Sequence, residues 1–372
     1  MKLVYFRVDS SLLIGSGHVM RCLTLASQLR ESGVEAIFIC REHPGNLIEW
    51  IKESGFRVCS LPLSKKTLLS DSNSASYEVD VCENWLGNAW ESDAEETLHV
   101  LGGARADCLI VDHYAIDKRW EATLRHRVEK IVVIDDLANR VHECDVLLDQ
   151  NLGSQESDYL LKVPVGTILL IGPRYALLRP DFSRLRTESL ARRISSSCQK
   201  IAISMGGVDI SNQTSKILNA LSYHEFLKPI EVDVILGHTA VHIEAIMTLL
   251  LDLPYKVNLH IGTPKIAEIL AESDLLIGAG GTTVWEACSL GLPSLLIVAA
   301  KNQIKSVTQL NKLGCALMLD GSMPISIDLP KKMKYIMTSD HLKKMSKACA
   351  VVTDGLGAKL VARKLLELSV KS

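Results

Sequence analysis

Apolar runs alternate with amphipathic stretches along the first half of the chain. The first run, 3–8, leads into a short glycine-containing loop, and from His18 to Gly33 apolar residues then recur every three or four positions. That spacing is typical of a helix. Further runs predict strands over 35–40, 107–112, 130–136, 145–151 and 167–172, with a helix over 117–128. Strands that are apolar throughout and separated by helices indicate a parallel sheet covered on both faces.

The same pattern starts again in the second half. Predicted strands span 200–207, 230–237, 255–262, 274–281 and 293–300, and predicted helices span 211–222, 239–251, 264–272, 282–290 and 303–313. The sequence therefore predicts two doubly wound α/β domains, 1–180 and 181–372, which the proline-containing segment 172–186 connects.

Two segments fit this alternation less simply. Residues 64–96 are rich in Ser, Asp and Glu and lack a strand signal, so we expect a loop there and an amphipathic helix over 78–101. The stretch 355–368 predicts a helix that can pack on either domain.

The arrangement of the two domains predicts where a ligand binds. Doubly wound domains bind ligands at the carboxyl ends of their strands, where glycine loops lead into helices. A cleft between two such domains is the expected site. The class of protein that this favours is an enzyme for a nucleotide or a nucleotide sugar, although a fold alone does not specify chemistry.

Composition and charge indicate which binding partners are disfavoured and in which cellular compartment the protein lies. The 372 residues carry a net charge of −2, so no basic surplus favours nucleic acid or an anionic membrane. The ten cysteines stand singly without a CxxC pattern, which predicts free thiols in a reducing compartment. The first strand is too short and too charged for a signal peptide, and charges interrupt the apolar stretch 273–300. We therefore expect a cytoplasmic protein.

The first glycine loop carries the clearest candidate chemistry. Gly15 and Gly17 bring the backbone close to a ligand, and amides at a helix start favour a phosphate. A dinucleotide fingerprint would need a third glycine where Met20 stands. His18 is suited to be a general base at cellular pH, because an imidazole titrates near ~6.5. The alternative is a first-turn histidine that faces solvent.

Two charged residues flank this loop. Asp9 follows the first strand, where it can orient His18 or bind a sugar hydroxyl; the alternative is a carboxylate that caps a loop or helix. Arg21 lies one turn after His18 and can reach a phosphate, unless it belongs to a solvated face.

The ends of two later strands add polar side chains. Asp112, His113 and Tyr114 are placed to contact a sugar ring. Asp135 and Asp136 can do acid–base work or bind a metal, but such pairs more often cap loops, and we favour that interpretation. No cluster has metal-ligand spacing, so we expect no metal.

The second half contains two more glycine loops. Gly206 and Gly207 follow a strand, and Asp209 with Ser211 or Asn212 can cap the next helix.

The third loop is the strongest candidate for a diphosphate site. Gly280, Gly281, Thr282 and Thr283 offer amides and hydroxyls at a helix start. Glu286, one turn later, can accept hydrogen bonds from both ribose hydroxyls, and 299–303 ends the next strand. The alternative is that the glycines only turn the chain and that the carboxylate is exposed.

Taken together, these pieces resemble one family over nearly the whole chain. The segments that carry the resemblance, in order, are FRVDSS, IGSGHVMRCLTLA, VDHYAID, IDDLANR, DVLLDQN, GPRYALLRPDF, SMGGVD, GGTTVWEA and KNQ. They are similar to the UDP-sugar hydrolases of pseudaminic acid biosynthesis. That family is similar in fold to GT-B glycosyltransferases. The resemblance therefore implies an α/β, GT-B-like fold with two Rossmann-like domains and an interdomain cleft.

The resemblance also implies a reaction that needs neither metal nor cofactor. Water attacks the anomeric carbon of a UDP-linked diacetamido-trideoxy sugar of the altrose series, and the bond from that carbon to UDP breaks with inversion. The free sugar then enters glycosylation of flagellin or a surface polysaccharide. His18 corresponds to the family's base. The residues that correspond to its UDP-binding positions are Gly281, Thr282, Glu286, Asn302 and Gln303, with Arg179 matching an arginine near the site.

Other functions stay open beside this one. A GT-B glycosyltransferase would pass the sugar to an acceptor, but no apolar or basic run near the N-terminal loops suggests a lipid acceptor. A regulator that binds a nucleotide sugar without chemistry would be expected to lose His18 first. The family often has an acidic residue where this chain has Lys301, which can instead meet a phosphate. The resemblance suggests a monomer whose small-molecule partner is a UDP-sugar.

Overall fold

The first unit of the chain is built on a parallel sheet. The structure is a computed structural model and describes residues 1–64, 85–103, 105–194, 198–222, 230–337 and 340–370. Unit 1 comprises Met1–Leu177 and Gly357–Ser372. Its elements are β1 (Leu3–Val8), α1 (Gly17–Glu31), β2 (Glu35–Arg41), α2 (Ile48–Glu53), β3 (Arg57–Leu61), α3 (Trp90–Leu101), β4 (Ala106–Asp112), α4 (Lys118–Leu124), β5 (Val128–Ile134), β6 (Val146–Asp149) and β7 (Ile168–Ile171).

The seven strands lie in the order β3-β2-β1-β4-β5-β6-β7, and every neighbouring pair is parallel. Apolar side chains fill both faces of the sheet: Phe6 and Phe38 pack on one face, and Trp120 and Tyr159 pack on the other. A parallel sheet needs this double cover, because its strands are apolar on both sides.

Unit 2, Leu178–Leu356, repeats the architecture. Its elements are α5 (Pro180–Arg192), β8 (Lys200–Ser204), α6 (Gln213–Ser222), β9 (Glu231–Leu236), α7 (Ile243–Leu250), β10 (Lys256–Ile261), α8 (Ile266–Glu272), β11 (Leu275–Ala279), α9 (Thr283–Ser289), β12 (Ser294–Ile297), α10 (Ile304–Lys312), β13 (Ala316–Met318), α11 (Ile325–Ile336) and α12 (His341–Ala350). The strands are parallel in the order β10-β9-β8-β11-β12-β13. The prediction of two doubly wound α/β halves is confirmed.

The C-terminal helix α13 (Gly357–Val370) belongs to unit 1. Its apolar residues Val361 and Leu365 join the core that contains Val19 and Leu25 of α1. The helix that was predicted as the last element of the second domain, 181–372, therefore belongs to unit 1. The first segment of unit 1 ends at Leu177 rather than at residue 180. An amphipathic pattern fixes which face of a helix is buried, but not which sheet covers that face.

Several predicted boundaries shift. The helix predicted over 78–101 begins at Trp90, and residues 78–84 lie outside the described residues. The connection 172–186 is helical from Pro180 onward, because proline is well accommodated in the first turn of a helix. The sequence did not predict β3. This strand lies at the edge of the sheet, and most of its residues are exposed or half-buried.

Two further observations concern thiols and membranes. Nine cysteines are free thiols, and Cys82 lies outside the described residues. Within the described ranges, no helix is long and apolar enough to cross a bilayer.

Candidate functional site

The carboxyl edge of the first sheet gathers buried aspartates. Asp9 follows β1, Asp112 ends β4, Asp135 follows β5 and Asp149 ends β6. These four strands are neighbours in the sheet, and each of the four side chains is at most 1% exposed. The loop after β1 leads into α1, so the first glycine loop opens at the same edge.

His18 is held by Asp112. The imidazole Nδ1 lies 2.6 Å from Oδ1 of Asp112, and the ring meets Tyr114 edge-on with 4.7 Å between centroids. A neutral imidazole in this contact donates from Nδ1, which leaves the Nε2 lone pair as an acceptor. Nε2 has no hydrogen-bond partner in the part of the chain that the structure describes. The alternative that His18 simply faces solvent does not hold, because the residue is 9% exposed.

The loop itself makes room for this arrangement. Gly15 adopts φ +79°, a left-handed conformation that favours glycine, and its amide donates to the carbonyl of Ser11. A Cβ on Gly15 would meet no atom within 4 Å, so the space beside the turn is open. Gly17 is the first residue of α1, and Ser16 precedes it without a side-chain cap.

Arg21 does not have a free guanidinium for a phosphate. Its Nε and Nη2 each lie 2.6 Å from an oxygen of Asp112, and its Nη1 lies 3.0 Å from Asp136. The residue is 4% exposed. The predicted phosphate contact is therefore wrong for this arrangement, because two carboxylates already occupy the guanidinium. Burial alone would raise the pKa of Asp112, but Arg21 and His18 outweigh it and hold that pKa below its usual range.

Asp9 is not the residue that orients His18. Its Oδ1 accepts from Nη1 of Arg7 at 2.6 Å and from the amide of Arg41 at 2.7 Å. Its Oδ2 lies 3.3 Å from Nε2 of His113 and 3.8 Å from Nε2 of His43. The prediction that Asp9 orients His18 is wrong, and Asp112 takes that place. The predicted contact of His113 with a sugar is also wrong here, because the residue is 4% exposed and its ring faces Asp9.

Two aromatic rings lie next to the base. Tyr114 is 8% exposed, and burial raises the pKa of its hydroxyl, with Asp136 adding to the shift. Trp85 stacks on Tyr114 with 5.5 Å between ring centroids. Sequence reasoning missed Trp85, because it placed this residue inside the helix predicted over 78–101, whereas the helix begins at Trp90.

Asp135 and Asp136 serve different partners. Asp135 accepts from Nη2 of Arg140 at 2.6 Å and from the amide of Ala138 at 2.9 Å, as a loop-capping carboxylate does. Asp136 accepts from Arg21. Among the described residues, no group of three or more His, Cys, Asp or Glu side chains is placed to hold a metal ion.

His142 makes unit 1 sensitive to alkaline pH. Burial lowers the pKa of His142, but Asp135 and Glu121 outweigh it and raise this pKa to about 9. The unfolded value is about 6.5, so the stabilisation is complete below pH ~6.5 and is lost as pH rises through about 9. We expect the difference in unfolding free energy between the wild type and His142→Gln to shrink by about 3 kcal/mol between pH ~6.5 and ~10.

Urea titrations followed by tryptophan fluorescence measure this difference, since every tryptophan except Trp285 belongs to unit 1. The exposed His126→Gln is the matched control and should show no such change. A constant difference between the wild type and His142→Gln across this range would contradict the assignment.

In unit 2, the second glycine loop is closed by its own carboxylate. Gly206 has φ +89°, and a Cβ on Gly237 would lie 2.2 Å from the carbonyl of Gly207. Asp209 accepts from the amides of Gln213 and Thr214, both at 2.9 Å. The predicted cap by Asp209 is confirmed, and it occupies the amides at the start of α6.

The third glycine loop differs because its helix start is uncapped. Thr282 caps α9 without a side-chain hydrogen bond, and over the described ranges the amides of Gly281, Thr282 and Thr283 donate to no partner. Gly280 is required by packing, since a Cβ there would lie 2.3 Å from Val307.

Glu286 and Arg179 lie near this loop. Loss of solvent raises the pKa of Glu286, although Arg179 and the Thr283 hydroxyl oppose the shift. Arg179 donates from Nη1 to the carbonyl of Pro264 at 3.1 Å, while its buried Nη2 has no hydrogen-bond partner among the described residues. A buried guanidinium nitrogen without an acceptor is suited to an anionic ligand.

The segment after β12 is a short turn. Gln303 accepts from the amide of Ala299 at 2.9 Å, so it holds the loop in shape. Asn302 lies in the same turn, Lys301–Gln303, and Lys301 is exposed.

The architecture is that of the GT-B glycosyltransferases. MurG of Acinetobacter baumannii aligns with 99% of this chain and 100% of its own at a TM-score of 0.66 and 15% identity. A calicheamicin glycosyltransferase, CalG4, aligns with 100% and 98% at a TM-score of 0.63 and 14% identity. At such identities the likeness defines the fold. Residues 254–361 match the model of the glycosyltransferase family 28 C-terminal domain.

The chain is also similar in sequence to a hydrolase and to an uncharacterized protein. It is 27% identical over 84% of its length to the UDP-2,4-diacetamido-2,4,6-trideoxy-beta-L-altropyranose hydrolase of Campylobacter jejuni, and the match spans 97% of that enzyme. An uncharacterized protein of Methanocaldococcus jannaschii is 25% identical over 80% of the chain, which spans only 55% of that protein.

Proposed function

We propose that this chain is a GT-B enzyme that processes a nucleotide sugar and, within that class, a hydrolase of UDP-2,4-diacetamido-2,4,6-trideoxy-β-L-altropyranose. The observation that carries the proposal is the contact of 2.6 Å between His18 and Asp112, with Nε2 of His18 left without a partner among the described residues. Such a pair is the arrangement that a general base needs. The similarity to the Campylobacter jejuni hydrolase supports the choice of substrate.

The proposed reaction is one displacement at the anomeric carbon. The oxygen of water forms a bond to this carbon while its proton moves to Nε2 of His18. The bond from the anomeric carbon to the UDP oxygen breaks, and its electron pair leaves with UDP. An inverting attack requires the base on the face opposite the leaving group. Asp112 stabilises the imidazolium that forms, as a buried carboxylate on Nδ1 does.

Binding of the nucleotide is assigned to the third glycine loop of unit 2. Its uncapped amides can donate to the diphosphate and stabilise the charge that develops on UDP. Nη2 of Arg179 is a second donor for this anion. Glu286 is assigned to the ribose hydroxyls. Gly206 and Gly207 are assigned a backbone contact only, because Asp209 already caps their helix.

A glycosyltransferase is the second candidate, because the structural neighbours reported above are transferases. Incubation of the protein with UDP-sugars in EDTA and without an acceptor separates the two candidates. Stoichiometric release of UDP and free sugar supports the hydrolase. Turnover that appears only after an acceptor is added would contradict it.

Glu286→Ala tests the nucleotide assignment. We expect this variant to bind UDP about tenfold or more weakly, because a buried hydrogen bond to a charged group contributes about 1.5–3 kcal/mol. Calorimetry of UDP binding measures the change. The partly exposed Glu268→Ala in the same unit is the control and should bind UDP like the wild type. Unchanged affinity in Glu286→Ala would show that the ribose assignment is wrong.

A further inference from the structure

The cluster around His18 contains a permanent cation that the proposed reaction does not yet use. The guanidinium of Arg21 is inserted between two carboxylates and beside the imidazole. It donates hydrogen bonds to Asp112 from Nε and Nη2, both at 2.6 Å, and to Asp136 from Nη1 at 3.0 Å. Its Nη2 also lies 3.3 Å from Nδ1 of His18.

The helix brings the cation and the base together. His18 and Arg21 are three residues apart on α1, so their side chains lie on one face of the helix. Both are at most 9% exposed, so solvent screens their interaction with Asp112 weakly. One turn of α1 therefore fixes the distance from the guanidinium to the imidazole.

The charges around His18 give Arg21 a specific effect. A buried carboxylate at 2.6 Å from an imidazole favours the charged imidazolium, which has no lone pair to accept a further proton. Arg21 counteracts this, because it neutralises Asp112 and adds a positive charge on the same side of the ring. Among the described residues, three other titratable groups face the cluster. Asp136 pairs with Arg21, the thiol of Cys22 donates to Asp112 at 3.5 Å, and the hydroxyl of Tyr114 lies beside the ring; burial raises the pKa of both the thiol and the hydroxyl.

We propose that Arg21 is a positioning residue that keeps His18 neutral, with the proton on Nδ1 and the lone pair on Nε2. This inference rests on the proposed role of His18 as the base. It also replaces the expectation that Arg21 binds phosphate. Each arm of its guanidinium already meets a carboxylate oxygen at hydrogen-bond distance.

Nuclear magnetic resonance of the ring nitrogens tests the proposal without substrate. In protein labelled at histidine, the signals of His18 are those missing from His18→Phe. In the wild type we expect the proton of the neutral ring to lie on Nδ1, the nitrogen that faces Asp112. In Arg21→Gln the ring should gain its second proton at a pH about one unit or more higher, since removal of a nearby cation has effects of that size.

The pH–rate profile provides the second readout. The acid limb of Arg21→Gln should move upward by the same amount, and its rate at high pH should return to within about threefold of the wild type. Arg21→Lys keeps the charge and should restore most of the wild-type profile. Arg30→Gln, at an exposed position of the same helix, is the control and should change neither readout.

A further variant tests the proposal in case Arg21→Gln does not fold. Arg21→Gln leaves two buried carboxylates without their cation, so Arg21→Gln/Asp136→Asn removes one of them and should show the same shift of the ring protonation. The proposal would be overturned if the His18 ring gained its second proton at the wild-type pH in both variants. It would also be overturned if the rate of Arg21→Gln were lower than that of the wild type by the same factor at every pH. The resonance measurement stands even if the protein does not hydrolyse the proposed substrate, so the two proposals fail separately.

Discussion

Replacing His18 by phenylalanine is expected to lower turnover by about 10²- to 10⁴-fold, the range that a general base contributes. The substitution preserves much of the surroundings. A phenyl ring keeps an edge contact with Tyr114, and Asp112 stays paired with Arg21. The loss should therefore report the missing Nε2 rather than a collapsed site.

The affinity for UDP should not change in this variant, because the proposal assigns the nucleotide to unit 2. Calorimetry with UDP and steady-state kinetics with the UDP-sugar measure the two quantities separately. His126→Phe, at an exposed position of unit 1, is the control and should leave both unchanged. Turnover near the wild-type rate in His18→Phe would remove His18 from the mechanism. A loss of UDP affinity would overturn the division of labour between the units.

Asp93→Asn is expected to destabilise unit 1 by about 3–5 kcal/mol, the usual consequence of breaking a buried ion pair. Asp93 is 0% exposed and accepts four hydrogen bonds. Two come from Arg7 at 3.1 and 2.6 Å, one from Arg41 at 2.6 Å and one from the indole of Trp120 at 2.9 Å. Without the negative charge of Asp93, the two fully buried guanidinium groups of Arg7 and Arg41 lose a counterion that they share.

Glu96→Gln is the matched control for this prediction. Glu96 also pairs with Arg41 at 2.6 Å, but its side chain is 32% exposed, so the change should be below about 1 kcal/mol. Hydrogen exchange of the β1 and β4 amides, compared between the variants, reports the stability of unit 1 alone. Equal protection in Asp93→Asn and Glu96→Gln would contradict the account of this network.

The sequence predicted the fold well because buried parallel strands have a strong local signature. The weakest predictions concern elements whose environment is decided by distant residues. β3 is a partly exposed edge strand without an apolar run, and α13 returns to the first sheet after the whole of unit 2. Neither feature can be read from a local pattern.

In the candidate site, too, local features could be predicted from the sequence and contacts between distant residues could not. The position of His18 followed from the glycine loop after a strand, which is a local signal. Its partner Asp112 lies 94 residues away at the end of β4, so only the order of the strands shows that this carboxylate lies beside His18. Arg21 was misassigned for the same reason, because its two carboxylates lie on β4 and after β5.

Hydrolysis in oxygen-18 water shows which bond of the UDP-sugar the protein breaks. The protein is incubated with UDP-2,4-diacetamido-2,4,6-trideoxy-β-L-altropyranose in EDTA without an acceptor, and the products are followed by phosphorus and proton resonance. Attack of water at the anomeric carbon predicts release of UDP, with the heavy oxygen on the anomeric carbon of the free sugar and none on the phosphate. No release of UDP, or heavy oxygen on UDP, would contradict it.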